Sequence, residues 1–220
     1  MATVGRVNPE VTDALARLYD IRVRPPKPMH GCPCCVSGEM KHALTGPREL
    51  LTVEQLGRYA SKAMTTWGSA EDYEHYLPRI LELSFEWPPW MGFTDHALAG
   101  RLRMLELEKR WSDDERAALT TILRTHWASC HDIEAEGLGH DSEHYHWLAN
   151  FGDLAGPLHE LLWDWQTNST PGARAALRYW YELDQDDSAR RPAPKGWPGT
   201  ADEALAIGRR VAPWLRALKL

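Results

Sequence analysis

The sequence predicts an all-α protein, and three observations lead to this fold class. Apolar residues recur at spacings of three and four over most of the 220 residues, as on one face of a helix. Box-like helix N-caps stand at Thr52, Ser69, Ser112 and Thr200. No segment alternates apolar and polar residues with the period of two that is typical of a strand. We expect roughly seven to eight helices in antiparallel hairpins, arranged as a helical bundle or a short armadillo-like stack.

The N-terminal region is expected to hold one short helix and a cysteine-rich loop. An apolar helical face follows Pro9, which stands where proline favours a helix start. Three prolines within 22–28 end this helix and lead, in extended form, into the loop. We therefore divide the chain into residues 1–48, an N-terminal helix with the cysteine-rich loop, and residues 49–220, a helical domain, within one compact unit overall.

Two helices should follow the cysteine-rich loop. The apolar face that begins at Val53 continues to Trp67, and Gly68 is expected to end the helix. The next helix begins at Ser69 and contains Pro78, which removes a backbone hydrogen bond and should kink the axis. The short connection predicts that the two helices form an antiparallel hairpin.

The remaining chain repeats this pattern. A rigid loop over 87–90 precedes a helix from Thr94 to Trp111, and another helix begins at Ser112. The later expected elements are an interrupted helix over 145–165, a helix that starts at Pro171, and a last helix after Thr200 that is kinked at Pro213.

Composition limits the classes of function. A chain of 220 residues can bury a sizeable core without disulfides, and three of its four cysteines lie within four positions, so no framework of spaced disulfides is expected. We therefore expect a reducing, cytoplasmic compartment. No apolar run approaches the roughly 20 residues that span a bilayer, so the protein should be soluble. The net charge of −6, with scattered basic residues, makes nucleic-acid binding an unfavoured function.

Tryptophan is unusually frequent, with eleven residues in the chain. Each indole carries a large apolar area and one N–H donor that needs a partner when it is buried. We expect most of them to anchor helix packing, and a minority to face a ligand or a partner.

The cysteine-rich loop, residues 30–35, offers ligands for a metal ion. Thiolates are soft ligands, and Cys32 and Cys35 have the Cys-x-x-Cys spacing that can chelate Zn²⁺. His30 and Cys34 are close enough to contribute, although neighbouring residues rarely both face one ion. The remaining thiol is Cys130. Distant imidazole candidates for a further ligand are His42, His75, His126 and His131.

Two other interpretations of these cysteines stay open. In a redox protein, one thiol of the Cys-x-x-Cys would attack and another would resolve the intermediate. The preceding prolines and the lack of a strand are unlike thioredoxin, where the attacking cysteine follows a strand at a helix N-terminus. The cysteines can also be inert, packed as small hydrophobic residues.

A second polar cluster occupies residues 131–146. His131, His140 and His144 could form a second metal site, since four-residue spacing places two imidazoles on one helical face. Three carboxylates of this stretch could complete the site, namely Asp132, Glu136 and Glu143. The His-Glu-x-x-His order of zinc peptidases is missing, and a solvated, charged loop is the alternative. No catalytic triad motif, phosphate-binding glycine loop or dinucleotide fingerprint is present.

Three stretches together resemble a group of uncharacterised, largely actinobacterial proteins. They are Cys-Pro-Cys-Cys at 32–35, the run from Leu51 to Ala60, and Thr-Thr-Trp-Gly at 65–68 leading into Tyr-Glu-His-Tyr-Leu-Pro-Arg-Ile at 73–80. The resemblance covers roughly residues 30 to 130. It implies a helical domain with a cysteine motif, implies no activity, and adds His75 and Arg79 as polar residues of interest.

The leading functional hypothesis is a cytoplasmic helical protein with a small cysteine and histidine metal site that binds another protein. The expected metal is zinc. A helical surface with exposed aromatic residues suits protein binding. The alternatives are a metal-dependent enzyme that uses the cysteine cluster or residues 131–146, a thiol-redox protein, and an acidic inhibitor that neutralises a basic partner.

Overall fold

The computed structural model describes residues 8–21, 29–86, 95–131, 144, 147–148, 150–185, 211, 213–214 and 216–217. These residues form α-helices, turns, one 3₁₀ helix and two isolated β-bridges, and they contain no strand. The all-α fold class is therefore confirmed. The helices are α1 (Pro9–Ile21), α2 (Gly38–His42), α3 (Val53–Lys62), α4 (Ala70–Glu86), α5 (Asp95–Met104), α6 (Leu107–Arg110), α7 (Asp113–His131), α8 (Leu158–Thr167) and α9 (Pro171–Gln185), with the 3₁₀ helix at Arg48–Leu50.

The predicted helix starts are accurate where local capping decides them. The Thr52 hydroxyl accepts from Gln55 N at 3.4 Å, and Gln55 Oε1 accepts from Thr52 N at 2.8 Å. Ser69 and Ser112 make equivalent boxes at α4 and α7. Thr170 caps α9 in front of Pro171. Each cap supplies acceptors to backbone N–H groups that have no partner within the helix.

The predicted end of α3 is wrong. This helix ends at Lys62, not at Gly68, because Met64 takes a left-handed φ of 59° and the chain turns back on itself. Trp67 is buried, and it forms β-bridges with Gly31 and Ala63 instead of a fourth helical turn. The connection to α4 is consequently longer than the sequence suggests.

The predicted helix from Thr94 to Trp111 is also divided. It separates into α5 and α6 because Glu106, at a left-handed φ of 50°, interrupts the helical backbone. Pro78 does lie inside α4. The loop over 87–90, the cap at Thr200 and the start of the last helix lie outside the described residues.

The chain divides into two compact units, residues 1–122 and 123–220, with the boundary inside α7. The division predicted from the sequence, between residues 1–48 and 49–220, stays a prediction. The cysteine-rich loop lies in the first unit, where Cys32 N donates to Thr66 O and Gly68 N donates to His30 O. The loop thus packs on the chain that follows it.

Aromatic side chains form the core of the first unit beneath the cysteine-rich loop. The Tyr59 ring lies 5.3 Å from Trp67 and 5.2 Å from Tyr76 in edge-on contacts. The Tyr76 hydroxyl donates to Leu44 O at 2.9 Å, so a polar group in this core has a partner. Edge-on aromatic pairs add to the stabilisation that burial supplies.

The polar residues of interest in α4 serve packing. Arg79 Nε donates to Leu51 O, and its Nη1 lies 2.6 Å from Glu82 Oε2, which also accepts from the Tyr19 hydroxyl. The carbonyl of His75 accepts from the buried Arg48, and the His75 ring contacts Tyr76 edge-on. These contacts connect α4 with α1 and with the segment before α3.

Tryptophan also dominates the described core of the second unit. Trp127, Trp147 and Trp165 are each at least 99 % buried, and the Trp127 ring lies 5.0 Å from Trp147 and 5.9 Å from Trp165. Trp163, in contrast, is 65 % exposed. Among the side chains that the structure describes, most indoles therefore act as the expected packing anchors.

Candidate functional site

The cysteine-rich loop is fixed by the turn between α3 and α4. Cys32 N donates to Thr66 O at 2.8 Å, and Gly68 N donates to His30 O at 2.7 Å. Cys35 N then donates back to Cys32 O at 3.0 Å, which closes a turn over the cysteines. Backbone hydrogen bonds on both sides of Cys32 therefore hold the thiols in place.

Two glycines permit this close approach. A Cβ on Gly31 would lie 3.0 Å from Val36 Cβ, which is closer than nine in ten real Cβ contacts. Gly68 has a φ of 73°, a left-handed conformation that other residues rarely adopt. Its Cβ would also lie 3.2 Å from Asp72. The sequence therefore places glycine on both sides of the contact that carries the cysteines.

The side chains of Cys32, Cys34 and Cys35, called the cysteine cluster below, converge. Cys32 Sγ lies 2.9 Å from Cys34 Sγ, and Cys34 Sγ lies 3.4 Å from Cys35 Sγ. All three sulfurs lie within 4.8 Å of one another. The sulfurs of the adjacent Cys34 and Cys35 thus lie close together within this tight turn.

Proton sharing makes the thiols of Cys32 and Cys34 unequal. Hydrogen bonds from Cys34, with a smaller contribution from Cys35, lower the pKa of Cys32. Hydrogen bonds to Cys32 and Cys35, together with their charges, raise the pKa of Cys34 to about 11. Cys32 therefore forms a thiolate before Cys34 does. Cys34 is exposed and the other two are half-buried, so the cluster is accessible from solvent.

This arrangement can hold a metal ion. Two sulfurs bound to one tetrahedral Zn²⁺ at about 2.3 Å stand about 3.8 Å apart, which is within the spread of the cysteine cluster. Among the described residues, no histidine or carboxylate joins the three sulfurs as a fourth ligand. The cluster therefore provides three ligands of the soft type that prefers zinc or copper(I).

The other predicted ligands lie elsewhere. His30 is exposed next to the cluster, and its role in the structure is the backbone hydrogen bond to Gly68. Cys130 is buried in α7, within the second unit, and donates to His126 O at 3.4 Å. His42 lies in α2 and His75 in α4, and neither joins a group of three potential ligands among the described residues.

Lys62 is a residue of this site that the sequence does not indicate. Its Nζ donates to Cys35 O at 3.3 Å from the last turn of α3. The ammonium group stabilises the loop carbonyl of Cys35. A lysine at the end of a helix is typical on electrostatic grounds alone, so its sequence position carries no functional signal.

Part of the second predicted site comes together in the second unit. His131 Nδ1 lies 2.9 Å from His144 Nε2, and His131 Nε2 lies 3.1 Å from Asp164 Oδ2. Both imidazoles are at least 98 % buried. Asp164, in α8, has no counterpart in the sequence prediction. His140, Asp132, Glu136 and Glu143 lie outside the described residues.

His126 is separate from this pair. Its Nδ1 accepts from Trp147 Nε1 at 3.2 Å, and burial lowers its pKa to about 4. A neutral His126 is therefore part of the tryptophan core of the second unit.

No helix of the described chain combines the length and the apolar character that crossing a membrane requires. In comparisons with known proteins, no family model matches this chain, and no curated protein or solved structure matches it either. The chemistry of the cysteine cluster is thus the basis for a functional assignment.

Proposed function

We propose that the protein binds one zinc ion through Cys32, Cys34 and Cys35, and that a partner protein supplies the fourth ligand. The observation that carries this proposal is the convergence of three sulfurs within 4.8 Å. Zinc bound by three protein ligands keeps one coordination position for an exchangeable ligand. Because Cys34 is exposed, that position is accessible to a side chain of another protein.

The backbone of the site favours a preorganised metal centre. The hydrogen bonds to Thr66 and from Gly68 fix the loop on a buried aromatic core, so little chain entropy is lost when the metal binds. The lowered pKa of Cys32 favours its thiolate, which is the form that binds a metal. The metal then displaces the protons of Cys34 and Cys35.

Elemental analysis of protein purified without a metal-affinity tag tests the metal. The wild type is expected to hold about one equivalent of zinc, and the Cys32→Ser/Cys34→Ser/Cys35→Ser variant none. Cys130→Ser is the matched control, since it removes a buried thiol of the second unit and should keep the zinc. Equal zinc in wild type and triple variant would refute the site.

The open position is tested with cobalt. Co²⁺-loaded protein should change its visible spectrum when imidazole or a small thiol is added, because the added ligand enters the coordination sphere. A partner that binds through this position should be retained by zinc-loaded wild type and lost with the triple variant. A spectrum that no added ligand alters would show a closed site and would exclude this mode of partner binding.

Thiol–disulfide exchange is a second candidate function, and the inequality of Cys32 and Cys34 favours it. The Cys32 thiolate would attack a substrate disulfide, forming a mixed disulfide and releasing one substrate thiolate. The thiolate of Cys34 would then attack Cys32 Sγ, form a Cys32–Cys34 disulfide and release the second substrate thiolate. The substrate disulfide is reduced and the two cysteines are oxidised.

Metal-free protein separates this candidate from the zinc site. Incubation with oxidised glutathione should give a Cys32–Cys34 disulfide and two reduced glutathiones for each disulfide formed, measured by mass spectrometry. Cys34→Ser should stop at the mixed disulfide on Cys32. Formation of a stable mixed disulfide in the wild type as well would refute resolution by Cys34.

A further inference from the structure

The second unit contains a chain of three polar side chains, in which the two imidazoles are buried and the carboxylate is exposed. Asp164 Oδ2, in α8, contacts His131 Nε2 at 3.1 Å, and His131 Nδ1 contacts His144 Nε2 at 2.9 Å. Because a carboxylate only accepts hydrogen bonds, it places the proton of a neutral His131 on Nε2. The electron pair of His131 is then on Nδ1 and points toward His144.

This order of groups is the one found at metal-binding histidines. A ligating imidazole usually donates its other N–H to a carboxylate, which fixes the ring and raises its basicity. Asp164 occupies that position for His131. Two nitrogens bound to one tetrahedral ion at 2.0–2.1 Å stand about 3.3 Å apart. His131 Nδ1 and His144 Nε2, which are 2.9 Å apart, would have to move apart by a few tenths of an ångström to bind it.

The surroundings of His144 are aromatic. The His144 ring stacks on Trp165 at 4.8 Å and meets Trp127 edge-on at 5.3 Å. These contacts fix the plane of the ring, and with it the direction in which His144 Nε2 faces His131 Nδ1.

A purely structural role explains the pair less well. His144 Nδ1 is buried and has no hydrogen-bond partner among the described residues. Buried polar groups that serve stability are normally satisfied, and a partly satisfied pair is worse than apolar packing at the same place. The pair therefore contributes little to stability as a hydrogen-bonded unit, because one of its nitrogens, His144 Nδ1, has no partner among the described residues.

We propose that His131 Nδ1 and His144 Nε2 bind a divalent transition-metal ion in the second unit, with Asp164 as the positioning residue of His131. Imidazole ligands suit zinc, cobalt, nickel and copper. This site is independent of the cysteine cluster, since it lies in the second unit and uses nitrogen instead of sulfur. The other coordination positions of the ion would be filled by ligands other than these two nitrogens.

The test uses the full chain with the cysteine cluster removed. The Cys32→Ser/Cys34→Ser/Cys35→Ser variant, stripped with a chelator, is titrated with Zn²⁺ and separately with Co²⁺ by calorimetry. Uptake of one equivalent is expected. Because this variant has no cysteine cluster, its result does not depend on whether the cysteines bind zinc. If the variant takes up no stoichiometric metal, the two histidines form only a hydrogen-bonded pair, and the proposal is overturned.

Variants of the two proposed partners assign the ion to this site. Asp164 is 53 % exposed, so Asp164→Asn should fold, and loss of a carboxylate that holds a ligating imidazole typically lowers metal affinity about 10- to 100-fold. His159→Ala removes an exposed imidazole from the same helix and should leave affinity unchanged. His144→Gln should abolish binding while circular dichroism reports its folding. Equal affinities for Asp164→Asn and His159→Ala would contradict the positioning role.

Discussion

At the scale of single residues, the cysteine cluster depends on which sulfur holds the proton. The Sγ atoms of Cys32 and Cys34 lie 2.9 Å apart, and a proton that Cys34 donates stabilises a thiolate on Cys32. Nucleophilic reactivity and metal affinity both follow the thiolate fraction. Cys34 therefore controls the chemistry of Cys32 even where it is not itself the nucleophile.

Cys34→Ala should make Cys32 less reactive. The variant removes the main hydrogen bond that lowers the pKa of Cys32, so its alkylation by iodoacetamide should shift to higher pH and slow several-fold near pH 7. In metal-free wild type, Cys32 should react before Cys34, whose pKa is about 11. Short alkylation pulses from pH 6 to 10, with tandem mass spectrometry, measure both rates. Cys35→Ala is the control and should cause a smaller shift.

A buried carboxylate of the first unit offers a second test at this scale. Glu74 is 3 % exposed and accepts from Arg110 Nε, Arg110 Nη2 and Trp111 Nε1 at 3.0–3.1 Å. Glu74→Ala should lower the free energy of unfolding by about 2–4 kcal/mol, because it removes the carboxylate that accepts hydrogen bonds from a buried indole and from a guanidinium. Urea denaturation measures this. Glu74→Gln should cost less, and exposed Glu108→Ala almost nothing.

At the scale of elements, helix starts that depend on local caps could be predicted, and a helix end that depends on tertiary contacts could not. The boxes at Thr52, Ser69 and Ser112 involve residues within one turn, so the sequence contains the whole interaction. The end of α3, in contrast, coincides with the left-handed backbone of Met64 and with a bridge between Trp67 and Gly31, two residues that lie far apart in the sequence. The apolar face therefore continues in the sequence beyond Lys62, where the helix itself stops.

The turn after α3 should be sensitive to the loss of glycine. Gly68→Ala places a Cβ 3.2 Å from Asp72 at a φ of 73°, which should cost about 1–2 kcal/mol of stability. The same change strains the hydrogen bond from Gly68 N to His30 O, so zinc affinity at the cysteine cluster should also fall. Thermal denaturation and a competitive zinc titration measure the two effects. Gly38→Ala is the control, since its Cβ would meet no atom within 4 Å.

At the scale of the whole molecule, the sequence predicts the fold class but not which distant groups meet. The cysteine cluster is visible because its members lie within four positions. Asp164, 33 residues beyond His131, gives no local signal, and only folding brings the two together. For the same reason, the division at residue 122 has no marker in the sequence, because it falls inside a continuous helix.

The two units should respond differently to mild acid. Burial lowers the pKa of His126 to about 4, against about 6.5 in an unfolded chain. Above pH 6.5 both states are neutral and stability is complete. As the pH falls toward 4, the unfolded state takes up a proton that the folded state does not. The free energy of unfolding of the second unit should therefore fall by up to about 3 kcal/mol, and by less where solvent reaches the ring. His144, whose folded pKa is also lowered, contributes in the same direction in metal-free protein.

Hydrogen exchange of the chelator-treated protein at pH 7.0, 5.5 and 4.5, corrected for intrinsic exchange rates, measures the loss of stability in each unit. Peptides from 123–131 and 158–167 should lose protection. The first unit should lose less, since its carboxylates with lowered pKa, Glu49 and Glu54, begin to bind protons only near their unfolded pKa of about 4.5. His126→Asn keeps an acceptor for Trp147 Nε1 but cannot take up a proton. It should therefore reduce the pH dependence of the second unit, and an unchanged dependence would contradict a role for His126.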